Sequence, residues 1–539
     1  MQKKILNKLQ QVEFIFLGII IFSFLFEVSF VDFRIERLYN LLENSLFAIL
    51  LILPFYYISS NRFKEIYFKT FFSIYSIFIL LETSYYYIFK TNISASAIYI
   101  AFETNYQEAS EFLLFYVDYK LIIFIVLVLA FLVKILFKRN YKSYKFNNLL
   151  INKTIGILIA ISIIVLLKFS TLRHQNFPYL ILKSFYVVYY ESDILKPSSF
   201  ENKKGIFEDA QIKEKDKGKL YVIIIGESTT SKNMSLYGYN RNTNPLLSSI
   251  PELLVYTNVI SPHAWTTETL GKALSLRNYE NYDTSKQGSI IQLLNASGFQ
   301  TYWISNQQPV GFAETEITKI ATASDKQIYL SLESSEDTRI YDEAVFNEID
   351  NFISNLKSNK ILFIHLQGTH LYYKNRYPKK FNIFKDKPKN TIFDTKKINT
   401  IINQYDNAVL YNDYVVNGII DKIKKTQTNS FVLYFSDHGE EVYNTIDFAG
   451  HNDDIGTLPM FQIPFVLWQS DLYKEQNDIE IDLNRPYMID DLFHSIADLA
   501  SIKQKDVNLS RSIFSKDFKL RKRVILDNKD YDSLLTKAN

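Results

Sequence analysis

The chain has 539 residues, room for two or three domains, and its 60 Lys and Arg against 57 Asp and Glu leave a net charge of +3, so no global basic field argues for nucleic acid. It contains no cysteine, which excludes disulfides, a thiolate nucleophile and cysteine-bound zinc; a metal would have to be held by His, Asp, Glu or a hydroxyl. Hydrophobic residues make up 47% and aromatics 16%, yet 22% are charged and the mean hydropathy is -0.04, which implies an apolar part and a polar part.

The apolar part comes first. Five runs approach the ~20 apolar residues that cross a bilayer: Phe14–Val31, Ser45–Ile58, Phe71–Phe89, Leu121–Leu136 and Ile155–Phe169. No small-residue cleavage site follows the first, so a removed signal peptide is not expected. Lys3, Lys4 and Lys8 precede run one, Arg62, Lys64 and Lys69 follow run two, and Lys134, Lys138, Arg139, Lys142, Lys145 and Lys153 surround the join of runs four and five. The other loops are richer in acid, so the positive-inside rule puts the N-terminus in the cytoplasm and everything after run five outside. Glu27 and Glu82 are expected to snorkel outward rather than to line a polar site. The outer loop Thr91–Tyr119 contains Glu103–Phe112, read as one interfacial helix or, equally, a solvated helix face.

These runs define a transmembrane domain over 1–171, a linker over 172–219 and an outer domain over 220–539. In the outer domain short apolar runs (Leu220–Ile225, Gln300–Ile304, Ile361–Leu366, Phe431–Phe435, Pro464–Trp468) alternate with helical stretches (Ile290–Ala296, Asp342–Leu356, Ile401–Lys424). That order predicts a mainly parallel sheet with helices on both faces.

Chemistry in such sheets sits beyond the carboxyl ends of the strands. The run Leu220–Ile225 ends in Gly226-Glu227, and Phe431–Phe435 ends in Ser436-Asp437-His438-Gly439. A carboxylate followed by a carboxylate–imidazole pair suits zinc or manganese, although Glu227 alone reads as well as a turn residue. Three of the seven histidines, His370, His438 and His451, follow strand ends or glycine-marked turns. Thr266, Thr267 and Thr269 open a helix within SPHAWTTETL, where a hydroxyl is either an N-cap or a nucleophile beside an anion site.

GESTTSKNMSLYGYNRNTNP from Gly226, SPHAWTTETL, WISNQQ at Trp303–Gln308, HLQGTHLYYKNRYP at His365–Pro378, SDHGEE at Ser436–Glu441 and AGHN at Ala449–Asn452 together resemble the bacterial phosphoethanolamine transferases. These are membrane-anchored members of the alkaline phosphatase and sulfatase superfamily, and the likeness spans nearly the whole chain. It implies a five-helix transmembrane domain plus an α/β alkaline-phosphatase-like domain, and zinc, ahead of manganese, on Glu227, Thr266, Asp437 and His438. It further implies that Thr266 is the nucleophile, that Asn306, His370 and His451 hold phosphoryl oxygens or move protons, and that Asn105, Glu108 and Glu111 meet the lipid head group. The implied reaction moves phosphoethanolamine from phosphatidylethanolamine through a phospho-threonine to lipopolysaccharide core, lipid A or another envelope acceptor. The implied location is the bacterial inner membrane with a periplasmic catalytic domain. The absence of cysteine sets the chain apart from the disulfide-rich, lipid A-modifying branch. A lipoteichoic-acid-synthase-like glycerol phosphate transferase and a non-catalytic membrane sensor are the alternatives.

Overall fold

The computed structural model describes residues 11–138, 153–194, 202–212, 218–280, 288–307, 316–331, 339–354, 358–389, 391–526 and 528–538. Lys3, Lys4, Lys8, Arg139, Lys142 and Lys145, used above for orientation, lie outside them. Contacts divide the chain into two units: Met1–Phe102 with Phe112–Tyr190, and Glu103–Glu111 with Glu191–Asn539.

The helices of the first part are α1 (Val12–Phe30), α2 (Glu36–Tyr57), α3 (Asn61–Phe89), α4 (Ala95–Glu103), α5 (Tyr106–Tyr116), α6 (Tyr119–Phe137), α7 (Lys153–Phe169) and α8 (Phe177–Ile194). Four of them, α1, α2, α3 and α6, are long and apolar enough to cross a membrane; α7, at the fifth predicted run, has 17 residues. Their contact faces are aromatic: Phe16 of α1 meets Phe68, Phe72 and Tyr75 of α3 at centroid distances of 5.1–5.9 Å. Such ring pairs add to plain area burial. Asp118 caps α6 by accepting from the Lys120 and Leu121 N–H groups.

Two expectations change here. Glu27 and Glu82 do not snorkel: both are buried, Glu27 against Arg37 at 3.3 Å and Thr83 at 2.9 Å, Glu82 against Asn44 at 3.0 Å. A charge turned inward is stable only with such partners. The loop helix is broken at Thr104-Asn105 into α4 and α5, because Asn105 Oδ1 accepts the Glu108 N–H at 3.0 Å and starts a new helix. Within 172–219, Phe177–Ile194 forms α8, whose Phe177 and Leu180 pack with Ala95 and Ile98 of α4.

The second unit is built on one seven-stranded sheet. In chain order its parts are β1 (Leu220–Gly226), β2 (Leu254–Val255), α9 (Thr266–Ala273), α10 (Ile290–Ala296), β3 (Gln300–Ser305), α11 (Glu316–Thr322), β4 (Lys326–Tyr329), α12 (Val345–Ile353), β5 (Lys360–His365), α13 (Lys396–Lys424), β6 (Ser430–Ser436), β7 (Phe465–Gln469) and α14 (Leu492–Leu499). The strand order is β2-β7-β6-β1-β5-β3-β4. β6, β1, β5, β3 and β4 run parallel, and β7 and β2 close one edge antiparallel.

β1 is central and buried over its whole length. Leu220, Val222 and Ile224 enter one core, beside Ala408, Tyr411, Val415 and Ile419 of α13. Tyr221, Ile223 and Ile225 enter the other, with Leu270, Leu293 and Phe493. Each such aliphatic side chain contributes about 1.5–3 kcal/mol when removed from water, which fixes the strand whose end carries Glu227.

Candidate active site and metal centre

The parallel register pairs Gly226 with Ser436, so β1 and β6 release their next residues side by side. The Asp437 N–H donates to Gly226 O at 3.1 Å, locking the two strand ends. Ser228, directly after Glu227, has φ of 55°, a left-handed conformation that non-glycine residues adopt at a cost. It is held there because its N–H donates to Asp437 Oδ1 at 3.1 Å and its carbonyl accepts from Tyr405 and Thr369.

Thr266 is the first residue of α9. Its hydroxyl lies 3.1 and 3.2 Å from the Glu227 oxygens and 3.3 Å from His438 Nε2. His438 Nε2 is 3.3 Å from Glu227 Oε1 and 3.4 Å from Asp437 Oδ2. All four residues predicted as metal ligands therefore converge on one spot. His438 Nδ1 donates to Gly439 O at 2.9 Å, which leaves the Nε2 lone pair facing the cluster, as a metal-ligating imidazole requires.

The cluster suits a cation. Asp437 Oδ2 is buried with no hydrogen-bond partner, while Oδ1 takes the N–H groups of Ser228 and His438. In the bare protein burial and the Glu227 charge push the Asp437 carboxyl up to about 8. Burial opposes the charged form of Glu227 and of His438 as well, but His438 holds the Glu227 carboxyl well below the usual range, and Asp437 first and Glu227 second raise His438 to about 10. Two carboxylates crowded around one imidazole are costly without added positive charge, and a divalent ion supplies it.

His451 and His370 flank this cluster. The His451 ring lies 4.2 Å from that of His438 and 6.3 Å from that of His370. Burial lowers both, His451 to about 3 and His370 to about 4, so both are neutral proton acceptors at pH 7. Glu108 comes within electrostatic range of Glu227: burial first and that charge second push it up to about 7. Glu111 pairs with Arg376 and Asn375, so it acts as a structural partner of the loop after β5. Asn105 uses its side-chain oxygen as the cap of α5.

Asn306 is brought near β5, where its N–H donates to His365 O at 2.9 Å. Its amide donates to Asp342 at 2.9 Å and Ile340 O at 3.2 Å, its oxygen accepts from Ser331 at 2.7 Å, and it is fully buried. These bonds brace the loop after β3.

Two groups escape a reading by sequence. Glu440 is buried, accepts from Tyr373 OH at 2.6 Å, lies 2.7 Å from His451 Nδ1, and is pushed up to about 8 by burial. Its place in SDHGEE was the available signal. His365, the last residue of β5, puts an unpartnered, buried Nε2 3.9 Å from Glu227 Oε2. Its nearness to Glu227 follows from the pairing of Ile225 with His365, which no local pattern reveals. His438, Glu440 and His451 form a second group with metal-ligand spacing.

A family model for the sulfatases matches residues 219–502. The phosphoethanolamine transferase EptC of Escherichia coli K12 is 36% identical over 311 residues, covering 55% of this chain and 53% of that protein. The transferase CptA of Salmonella typhimurium LT2 is 33% identical over 341 residues, covering 61% and 57%. The matched region thus spans about half the length of these curated relatives. The crystal structure of the C-terminal periplasmic domain of E. coli EptC, in complex with Zn, is 34% identical with a TM-score of 0.58, covering 61% of this chain and 96% of that one. The integral membrane protein EptA of Neisseria meningitidis, at 19% identity and a TM-score of 0.68, covers 94% and 97% and shares the fold along the chain, apolar helices included. The chain belongs to the sulfatase family, among the homologues of the phosphoethanolamine transferases EptC, CptA and EptA.

Proposed function

We propose that this protein is an inner-membrane phosphoethanolamine transferase that takes its group from phosphatidylethanolamine and passes it, through Thr266, to an envelope glycolipid. The observation that carries the reading is the Thr266 hydroxyl, 3.1–3.3 Å from both Glu227 oxygens and His438 Nε2, at the mouth of two adjacent parallel strands. Five spans with the N-terminus in the cytoplasm put this site on the periplasmic side.

Glu227, Asp437, His438 and Thr266 would hold zinc, which supplies positive charge that lowers the hydroxyl pKa and offsets charge on phosphoryl oxygens. The zinc complex of the EptC domain supports the choice of metal. Thr266 Oγ attacks the phosphorus; a P–O bond to Thr266 forms, the P–O bond to diacylglycerol breaks, and diacylglycerol leaves as an alcohol carrying a proton. Glu440 holds the His451 ring through the 2.7 Å contact at Nδ1, so His451 Nε2 is the nitrogen left to carry the proton from Thr266 to the leaving oxygen. In the second half the acceptor oxygen bonds to phosphorus, the Thr266–P bond breaks and Thr266 regains its proton. His370, neutral as well, faces the same space, and Glu108 is the carboxylate best placed to meet the donor ammonium.

The test is diacylglycerol release from phosphatidylethanolamine vesicles by the full chain, with mass spectrometry of the peptide holding Thr266. A phosphoethanolamine adduct on Thr266, absent in Thr266→Ala, is expected. Continued release by Thr266→Ala would end the assignment, and a glycerol phosphate adduct would shift it to the synthase chemistry.

A further inference from the structure

The connection from β5 to α13 departs from the charge balance of the chain. Residues 374–389 hold seven basic side chains and a single acid, Asp386, an excess of six where the whole protein has +3. Lys374, Lys379, Lys380, Lys385, Lys387 and Lys389 are exposed, and Ile383 among them is 61% exposed. A run of like charges repels itself and is ordinarily a loose, solvated segment.

This one is fastened at several points. Asn407 of α13 accepts the N–H groups of Ile383 and Phe384 at 2.9 and 2.8 Å and donates to Phe384 O at 3.1 Å. Arg241 donates to Asp386 O at 2.9 Å. At the near end the stretch is wired to the site: Arg376 donates to His370 O at 3.2 Å and to Gln367 at 2.9 Å, and the preceding Tyr373 donates to Glu440. The fold thus fixes a basic rim, with an aliphatic residue on it, that begins at the residues touching the two proton-carrying histidines.

Resting on the reading above, we propose that residues 374–389 are the surface on which the acceptor docks, and that the acceptor is an anionic, phosphate-bearing glycolipid. Lysine ammonium groups meet phosphates as compact point charges, and several together steer an anionic amphiphile without fixing one geometry. Ile383 offers an apolar contact to the same molecule. A bilayer of anionic phospholipid would match the charge, but it gives no reason for the rim to be joined to His370 and Glu440.

The experiment uses the full chain in phosphatidylethanolamine nanodiscs, with lipid A as the acceptor probe, and the triple variant Lys379→Gln, Lys385→Gln, Lys389→Gln. Adduct formation on Thr266 without acceptor is expected to be unchanged. The KM for lipid A is expected to rise on the order of tenfold or more at low salt, with kcat kept and the difference shrinking at high salt. Lys503→Gln with Lys505→Gln, exposed elsewhere in the same unit, is expected to change neither. Equal loss of adduct and transfer, an unchanged KM, or competition by phosphatidylglycerol as strong as by lipid A would overturn the proposal. If the unmodified protein forms no adduct, the transferase reading fails, while lipid A-dependent nanodisc binding lost in the triple variant still reads the rim.

Discussion

Gly368 lies against the backbone of Glu227: a Cβ on it would stand 2.7 Å from both Glu227 N and Glu227 O, and its φ is +53°. The neighbour is main chain, so it cannot swing aside as a flexible side chain would. Gly368→Ala is expected to displace Glu227, cut zinc content and lower transfer by roughly a hundredfold, with about 1–3 kcal/mol of strain. Metal analysis and transfer rate on one preparation check this; a variant with full zinc and full rate would refute the contact.

Zinc is expected to be a folding ligand as well as a catalytic one, because buried Asp437 Oδ2 has no other partner. Trp265, Trp303 and Trp468 are the three tryptophans and all lie in the catalytic unit, so their fluorescence follows that unit. Chelation should lower its thermal midpoint, and added zinc should restore it. In Asp437→Asn the chelator should make little difference; a wild-type midpoint indifferent to chelation would count against the metal site.

Glu440 orients His451 through the 2.7 Å contact at Nδ1. Glu440→Gln keeps the shape and removes the ionisable group. Transfer should fall about 10–100-fold, as outer partners of site histidines commonly show, with zinc retained. An unchanged rate would mean that another group sets the His451 tautomer.

His494 gives a pH dependence away from the metal. Burial, then Arg511 and Arg521, lower it to about 3, and its Nδ1 accepts the Asn508 N–H at 3.3 Å. The unfolded chain binds a proton near pH 6.5 and the folded one does not until about 3. The stability contribution is therefore complete above pH 6.5 and is lost as pH falls from there towards 3, on the order of a few kcal/mol in all. His494→Gln should flatten this part of the urea-midpoint profile read by tryptophan fluorescence; an identical profile would contradict the assignment.

The sequence carried the centre of the site and lost its surroundings. Leu220–Ile225 and Phe431–Phe435 read as strands because a strand buried on both faces has no polar positions, and their ends had to carry the chemistry. The helix start at Thr266 is marked locally, but Thr267 and Thr269 share that mark, and only the family resemblance singles out Thr266. Glu440 and His365 were not singled out, since their roles come from sheet pairing and from loops that meet only in the fold. An amide after a strand looks the same in the sequence whether it faces a ligand or, like Asn306, donates to Asp342. Burial of Glu27 and Glu82 depended on Arg37 and Asn44, partners on other helices that hydropathy does not weigh. The antiparallel direction of β7 follows from a connection too irregular to read.

The pairing of Gly226 with Ser436 sets a timetable for assembly. The two residues are 210 positions apart, so ribosomal synthesis delivers the glutamate long before the aspartate and histidine that complete its site. Until β6 emerges, β1 lacks one of its two neighbours, and closing so long a loop is slow. A metal held by this set would be loaded only once residue 438 has been made, and a nascent fragment stopped short of residue 430 lacks two of the four proposed ligands.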